Sequence, residues 1–230
     1  MTAPFLEIRS LIKEYEQPGG RIQALCLDFL DAGMGEAIAI TGPSGSGKTT
    51  LLHLLAGLIA PSRGSIRLDG RDLASLGASS ASWRAKHVGY VFQDVNLLPD
   101  FNILENLLIA AEVSNVLKNV ALERASVLLG RLGIEERRHH RPAKLSLGEQ
   151  QRAAVARALI HSPSLILADE PTASLDARNA EIVVNLLLEL REREKSKSLL
   201  IVATHDEAVK KHFPRVVELR KTGGCLVPCD

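Results

Sequence analysis

Gly42-Pro43-Ser44-Gly45-Ser46-Gly47-Lys48-Thr49 is the stretch whose reading decides the fold. It matches G-x-x-x-x-G-K-[ST], and it stands where that pattern has physical meaning. A short apolar run at residues 36–40 precedes it, and an apolar helix is predicted over 48–59. Glycines let the backbone curl around an anion and aim its N–H groups inward. The start of the next helix adds partial positive charge. In such a loop Lys48 reaches the β- and γ-phosphates, and the Thr49 hydroxyl binds Mg²⁺. The loop alone points to a nucleoside triphosphate at the edge of an α/β sheet. It does not choose among kinases, GTPases and motor ATPases.

Around the loop, apolar runs and helical periods alternate. Residues 5–10 and 22–28 alternate apolar and polar side chains, as half-buried strands do, and Gly19-Gly20 between them marks a turn. Residues 65–68 predict a short strand before a turn at Asp69-Gly70, and residues 88–92 a strand ending at Gln93. From 99 to about 132 the period is helical, with Leu104, Leu107, Leu108 and Ala111 at suitable spacing. A helix with a polar start is predicted over 145–160, a fully apolar strand over 165–168, and a helix over 180–193. A last buried strand over 198–203 ends at Thr204-His205. The basic run 137–141 and the mixed-charge run 191–197 read as solvated. Strands that alternate with helices, and apolar runs without strict alternation, predict a mainly parallel sheet covered on both faces.

Composition narrows the function classes. The 230 residues suffice for one large domain, and a formal net charge of +1 supplies no basic field for nucleic acid. Apolar stretches such as 51–60 fall short of the roughly 18 residues needed to span a bilayer. The first nine residues lack a basic segment followed by an apolar one, so no secretory signal is read and a cytosolic location is expected. Three cysteines, Cys26, Cys225 and Cys229, do not suggest a disulfide framework. The last two read as part of a loose tail rather than as metal ligands.

Two further stretches carry chemistry. Leu165-Ile166-Leu167-Ala168-Asp169-Glu170-Pro171 is an apolar strand that ends in two carboxylates. Asp169 sits where a phosphate-loop enzyme holds Mg²⁺, and Glu170 can take a proton from an attacking water. Pro171 has no N–H for the ladder and stops the strand. Taken without the loop, charges at a strand end that simply face solvent are the lesser reading of the pair. Leu145-Ser146-Leu147-Gly148-Glu149-Gln150-Gln151-Arg152 reads as a helix start, with Ser146 as cap and Glu149 three residues on as in a capping box. Its exposed N-terminus can also attract phosphate.

This last octapeptide resembles the signature sequence of the ABC ATPases, usually Leu-Ser-Gly-Gly-Gln. Tyr15, Gln93, the Ser174-Leu175-Asp176 triplet and His205 fall in that family's order, so the resemblance covers essentially the whole chain. It implies a P-loop NTPase core with a mainly parallel sheet, an N-terminal antiparallel β subdomain and an inserted helical subdomain. The nucleotide-binding core would take about 1–93 and 160–230 of a single domain, 1–230, and the helical subdomain about 94–159. It implies ATP and Mg²⁺, with Tyr15 stacked on adenine and Gly42, Pro43, Ser44, Gly45, Ser46, Gly47, Lys48, Thr49 and Thr50 on the phosphates. Thr49, Gln93 and Asp169 would serve Mg²⁺, Glu170 would be the base, and His205 would support the γ-phosphate and the water. Ser146, Gly148 and Glu149 would meet the ATP of a second copy packed head to tail. Leu147 stands where the family usually has glycine, which puts turnover in doubt more than ATP binding.

Residues 97–106, 50–55 and 175–180, with Arg141-Pro142, are similar to the lipoprotein-releasing ATPase group, which includes macrolide-export and cell-division members. That implies an integral membrane permease as partner, a place on the inner face of the cell membrane, and export rather than import. An importer ATPase and a non-transport scaffold are the alternatives.

Overall fold

The computed structural model describes residues 4–18, 20–190 and 198–219. Gly19, the run 191–197, Cys225 and Cys229 lie outside the described residues. The strands β1 (Leu6–Gln17) and β2 (Gly20–Ala32) form an antiparallel hairpin, β1 running on well past the alternation at 5–10 and β2 extending beyond 22–28 at both ends. On the other side of β1 lies β4 (Arg63–Leu68), followed by the short β5 (Arg71–Asp72), in the order β2-β1-β4-β5. Asp69 and Gly70, at φ 50° and 72°, make the tight turn between β4 and β5.

The second sheet contains β6 (Val88–Val91), β7 (Leu165–Asp169), β8 (Leu199–Ala203), β3 (Ala37–Thr41) and β9 (Arg215–Glu218), in that order. Every pairing in it is parallel. Successive residues of a strand point to opposite faces, and both faces are buried here. Ala37, Ala39, Ile166, Ala168, Leu200 and Val202 pack in a core with α3 (Ile103–Val113), α4 (Lys118–Arg131), α5 (Leu147–Leu159) and α6 (Ala177–Leu190). Ile38, Ile40, Leu165, Leu167, Leu199 and Ile201 pack in another with α1 (Lys48–Leu55) and the inner face of the antiparallel sheet. The apolar runs lack alternation because neither face meets water.

Several expectations are corrected. The helix predicted over 48–59 stops at Leu55, and Gly57 at φ 63° supplies the left-handed turn after it. The single helical period over 99–132 is two helices, broken near Asn115 at φ 61°. The helix α6 starts at Ala177, earlier than predicted, because the Asp176 carboxylate accepts from the Asn179 N–H at 2.9 Å and caps its first turn. Short elements α2 (Ser80–His87), α7 (Glu207–Lys210), β5 and β9 had no clear period to announce them.

The basic run 137–141 is not simply solvated. The carbonyls of His140 and Arg138 accept from Ile103 N (3.0 Å) and Leu104 N (2.8 Å). First-turn N–H groups have no partner inside their own helix, and this segment, distant in the chain, supplies partners for two of them. Cys26, on β2, is buried and disulfide-bonded, which the cysteine count had not suggested. Among the described residues no helix is long and apolar enough to cross a membrane.

Candidate functional site

The C-terminal ends of parallel strands form the ligand crevice of an α/β sheet. Here the ends of β3, β6, β7 and β8 open on one cavity of about 430 Å³. It is lined by all of residues 42–49, with Gln93, Asp169, Glu170, Ala173 and His205. Residues scattered over 164 positions of sequence, from Gly42 to His205, thus meet because four strand ends do.

The loop is built to hold an anion. Gly42, Gly45 and Gly47 have φ of 143°, 75° and 91°. A side chain at Gly42 would place its Cβ 2.4 Å from the Leu219 carbonyl and 2.7 Å from Ser46 Oγ, so only glycine fits. Ser46 Oγ is buried and has no hydrogen-bond partner among the described residues. An oxyanion seated in the loop would satisfy it. Lys48 Nζ donates to the carbonyls of Gly42 (2.8 Å) and Pro43 (3.2 Å), which holds the ammonium over the loop.

The carboxylate pair sits at the end of β7. Burial pushes the Asp169 carboxyl up, the Thr49 hydroxyl bonded to it pulls it back, and the neighbouring Glu170 raises it again. Such a site gains from a cation. The Thr49 hydroxyl, the Asp169 carboxylate and the Gln93 amide oxygen are hard oxygen donors suited to Mg²⁺.

Glu170 is buried, with backbone φ of 45°, a left-handed conformation that costs a non-glycine residue about 1 kcal/mol. Its N–H donates to the Ala203 carbonyl at 2.9 Å. Its carboxylate lies 2.6 Å from His205 Nδ1 and accepts from Thr204 Oγ1 (3.2 Å) and from the His205 N–H (3.1 Å). Thr204 is fully buried. Sequence reading ended a strand at Thr204 and assigned it no role. A hydroxyl beside a strand-end histidine was the signal.

Tyr15, Thr50, Ser146, Gly148 and Glu149 do not line this cavity. Tyr15 is half-exposed on β1. Thr50 lies in the first turn of α1. The other three form the start of α5, where the capping box is complete: Ser146 Oγ accepts from Glu149 N (3.3 Å), and Glu149 Oε2 accepts from Ser146 N (2.8 Å). Arg137 Nε donates to the same carboxylate at 3.1 Å, a partner sequence reading missed inside its basic run. The Ser146 hydrogen bonds, then Arg137, hold the Glu149 carboxyl below its usual range. Leu147 is 57% exposed at the tip of the helix. A Cβ on Gly148 would stand 3.3 Å from Leu175 Cδ2, so the 174–176 segment packs closely beneath the signature.

Residues 29–173 match the family model described as ABC transporter. The lipoprotein-releasing system ATP-binding protein LolD of Hyphomonas neptunium is 42% identical over 96% of this chain and 96% of that protein. The macrolide export ATP-binding/permease protein MacB of Bradyrhizobium diazoefficiens is 42% identical over 96% of this chain, which spans only 33% of that protein. Among solved structures, the ATP-binding cassette MJ0796, seen as a dimer in a post-hydrolysis state with ADP and phosphate, superposes with a TM-score of 0.85 at 32% identity, over 94% of each chain. A parallel sheet whose strand ends gather a phosphate loop, two carboxylates and a histidine agrees with these likenesses, and the chain belongs to the ABC transporter family as one of its ATPase cassettes.

Proposed function

We propose that this chain binds Mg²⁺ and ATP at the loop 42–49 and hydrolyses the ATP in a head-to-tail pair of copies. The observation that carries the reading is the cavity in which Lys48, Thr49, Gln93, Asp169, Glu170 and His205 face one another. Loop N–H groups and Lys48 bind the triphosphate. Thr49, Asp169 and Gln93 hold Mg²⁺, which neutralises charge on the phosphates. Glu170 takes the proton of the attacking water. Thr204 and the backbone N–H of His205 fix its carboxylate, and His205 keeps one imidazole nitrogen on Glu170 and the other free for the γ-phosphate side.

A single copy does not bring Ser146, Gly148 and Glu149 to the cavity. This supports a second copy that supplies them, as the dimeric MJ0796 cassette suggests. The motor then drives an integral membrane permease of the lipoprotein-release or export type, from the inner face of the membrane. The near full-length likeness to LolD supports this choice. A groove of about 660 Å³ along α3 and the start of α4, lined by Phe101, Leu108, Val116 and Leu117, supplies an apolar seat for such a partner.

Glu170→Gln tests the reading. We expect it to keep ATP binding, to slow hydrolysis by about 10²–10⁴-fold, and to form an ATP-dependent dimer by light scattering. Turnover near that of the parent would remove Glu170 from the role of base. A monomer at saturating Mg-ATP would mean that the isolated chain does not close on its nucleotide.

A further inference from the structure

The pairing of the strand that carries Tyr15 is irregular just before it. The pairing of β1 with β2 slips between Lys13 and Glu14: Lys13 faces Leu25, but Glu14 faces Gln23. The extra residue is Ala24 of β2, which faces no residue of β1, and such a bulge bends its strand, raises the local twist of the hairpin and re-aims the side chains beyond it. Beyond it, Tyr15 pairs with Ile22 across the hairpin, and both are substantially exposed.

Opposite the bulge, β1 is gripped from outside its pairing with β2. Ser62 N donates to the Ile12 carbonyl (2.8 Å), Ser62 Oγ accepts from Glu14 N (3.0 Å), and the same hydroxyl lies 3.4 Å from the Glu14 carbonyl. Lys13 Nζ donates to the Ala60 carbonyl at 2.8 Å. The same ammonium stands 5.0 Å from the centre of the Tyr15 ring, over its face. Ala60 and Ser62 belong to the short connection that leaves α1, whose other end is the phosphate loop.

We infer that Lys13 and Ser62 are positioning residues for a nucleobase platform: Ser62 fixes β1 opposite the bulge, and Lys13 occupies one face of Tyr15 so that a purine stacks on the other. The inference rests on the proposed role of Tyr15 at the base of ATP. It adds a physical link between the two halves of the ligand. The base platform and the phosphate loop are held to one rigid piece, α1 with its exit, so their spacing is set before nucleotide arrives. An ammonium on one face of a phenol draws density from the ring, which favours stacking against an electron-rich purine on the open face.

The test compares ATP with inorganic tripolyphosphate, which has no base, by calorimetry in the presence of Mg²⁺. The variants are Lys13→Met, Ser62→Ala, Ser62→Thr and Tyr15→Ala. Lys13→Met and Ser62→Ala are expected to weaken ATP by about threefold to tenfold and to leave tripolyphosphate unchanged. Ser62→Thr, which keeps the hydroxyl, is expected to bind both as the parent does. Equal weakening of both ligands would mean that these residues act through general stability, and the inference fails. Parent-like ATP affinity in Lys13→Met and Ser62→Ala, with Tyr15→Ala weakened, overturns the inference but leaves the platform standing. Parent-like ATP affinity in Tyr15→Ala removes the platform itself.

Discussion

Glu170 and His161 show what single residues decide. Glu170 is held by three donors in a left-handed backbone conformation at the end of a buried strand, so its carboxylate has one orientation rather than several. That is why removing its charge in Glu170→Gln is expected to slow the chemistry with little effect on binding. His161, at the far end of α5, has another task. Burial, with Arg124 and His87 nearby, pushes its imidazole from 6.5 down to about 4. Above pH 6.5 the ring is neutral in both folded and unfolded chains, and the group adds no pH dependence. Between 6.5 and 4 the unfolded chain takes up a proton that the folded chain refuses, so stability falls as the pH drops through this window. His161→Gln is expected to flatten the loss of stability over that window, by up to about 1.4 kcal/mol per pH unit, in urea titrations run at successive pH values. Parallel curves for parent and variant would contradict it.

At the scale of elements, the segment after Gln93 depends on a polar residue inside an apolar helix. Asn106 is fully buried in α3, beside Leu107. Its side chain accepts from Leu98 N (2.8 Å) and donates to the carbonyls of Leu98 (3.1 Å), Phe101 (3.1 Å) and Asn102 (3.0 Å). It therefore stands in for the hydrogen bonds that the irregular stretch 98–102 cannot make with itself. Asn106→Ala leaves several of those groups unsatisfied and is expected to cost about 2–4 kcal/mol. The measurement is the urea midpoint at unchanged slope, and a shift too small to resolve would refute the account. Periodicity predicted this helix from Leu104, Leu107, Leu108 and Ala111, but it gave no sign of Asn106. The partners of Asn106 are carbonyls of a loop, and every residue has a carbonyl.

For the whole molecule, two of the exposed apolar residues meet at one groove. Phe101 and Leu117, the latter 70% exposed, both border the groove along α3 and α4. An apolar groove this open suits the docking role proposed for it. The double variant Phe101→Asp, Leu117→Asp is expected to lose co-purification with the proposed membrane permease, while calorimetry shows ATP affinity unchanged, because neither residue borders the cavity at residues 42–49. Undiminished co-purification would place the permease elsewhere on the surface.

The sequence alone determined the phosphate loop, the strand-end carboxylates, the capped helix at Ser146 and the parallel sheet. Each of these is written in contiguous residues: glycine spacing, an apolar run with a charged end, a serine three residues before a glutamate. Tertiary structure alone decided the rest. It made residues 137–141 a cap for α3, set Thr204 on Glu170 and Arg137 on Glu149, and brought Ser62 to β1 just before Tyr15. These contacts join residues between 12 and 48 positions apart. Many rest on a backbone group at one end, and the backbone is the same at every position. No local pattern can encode such a partner. It exists only once the sheet order has set which strand ends and helix ends meet.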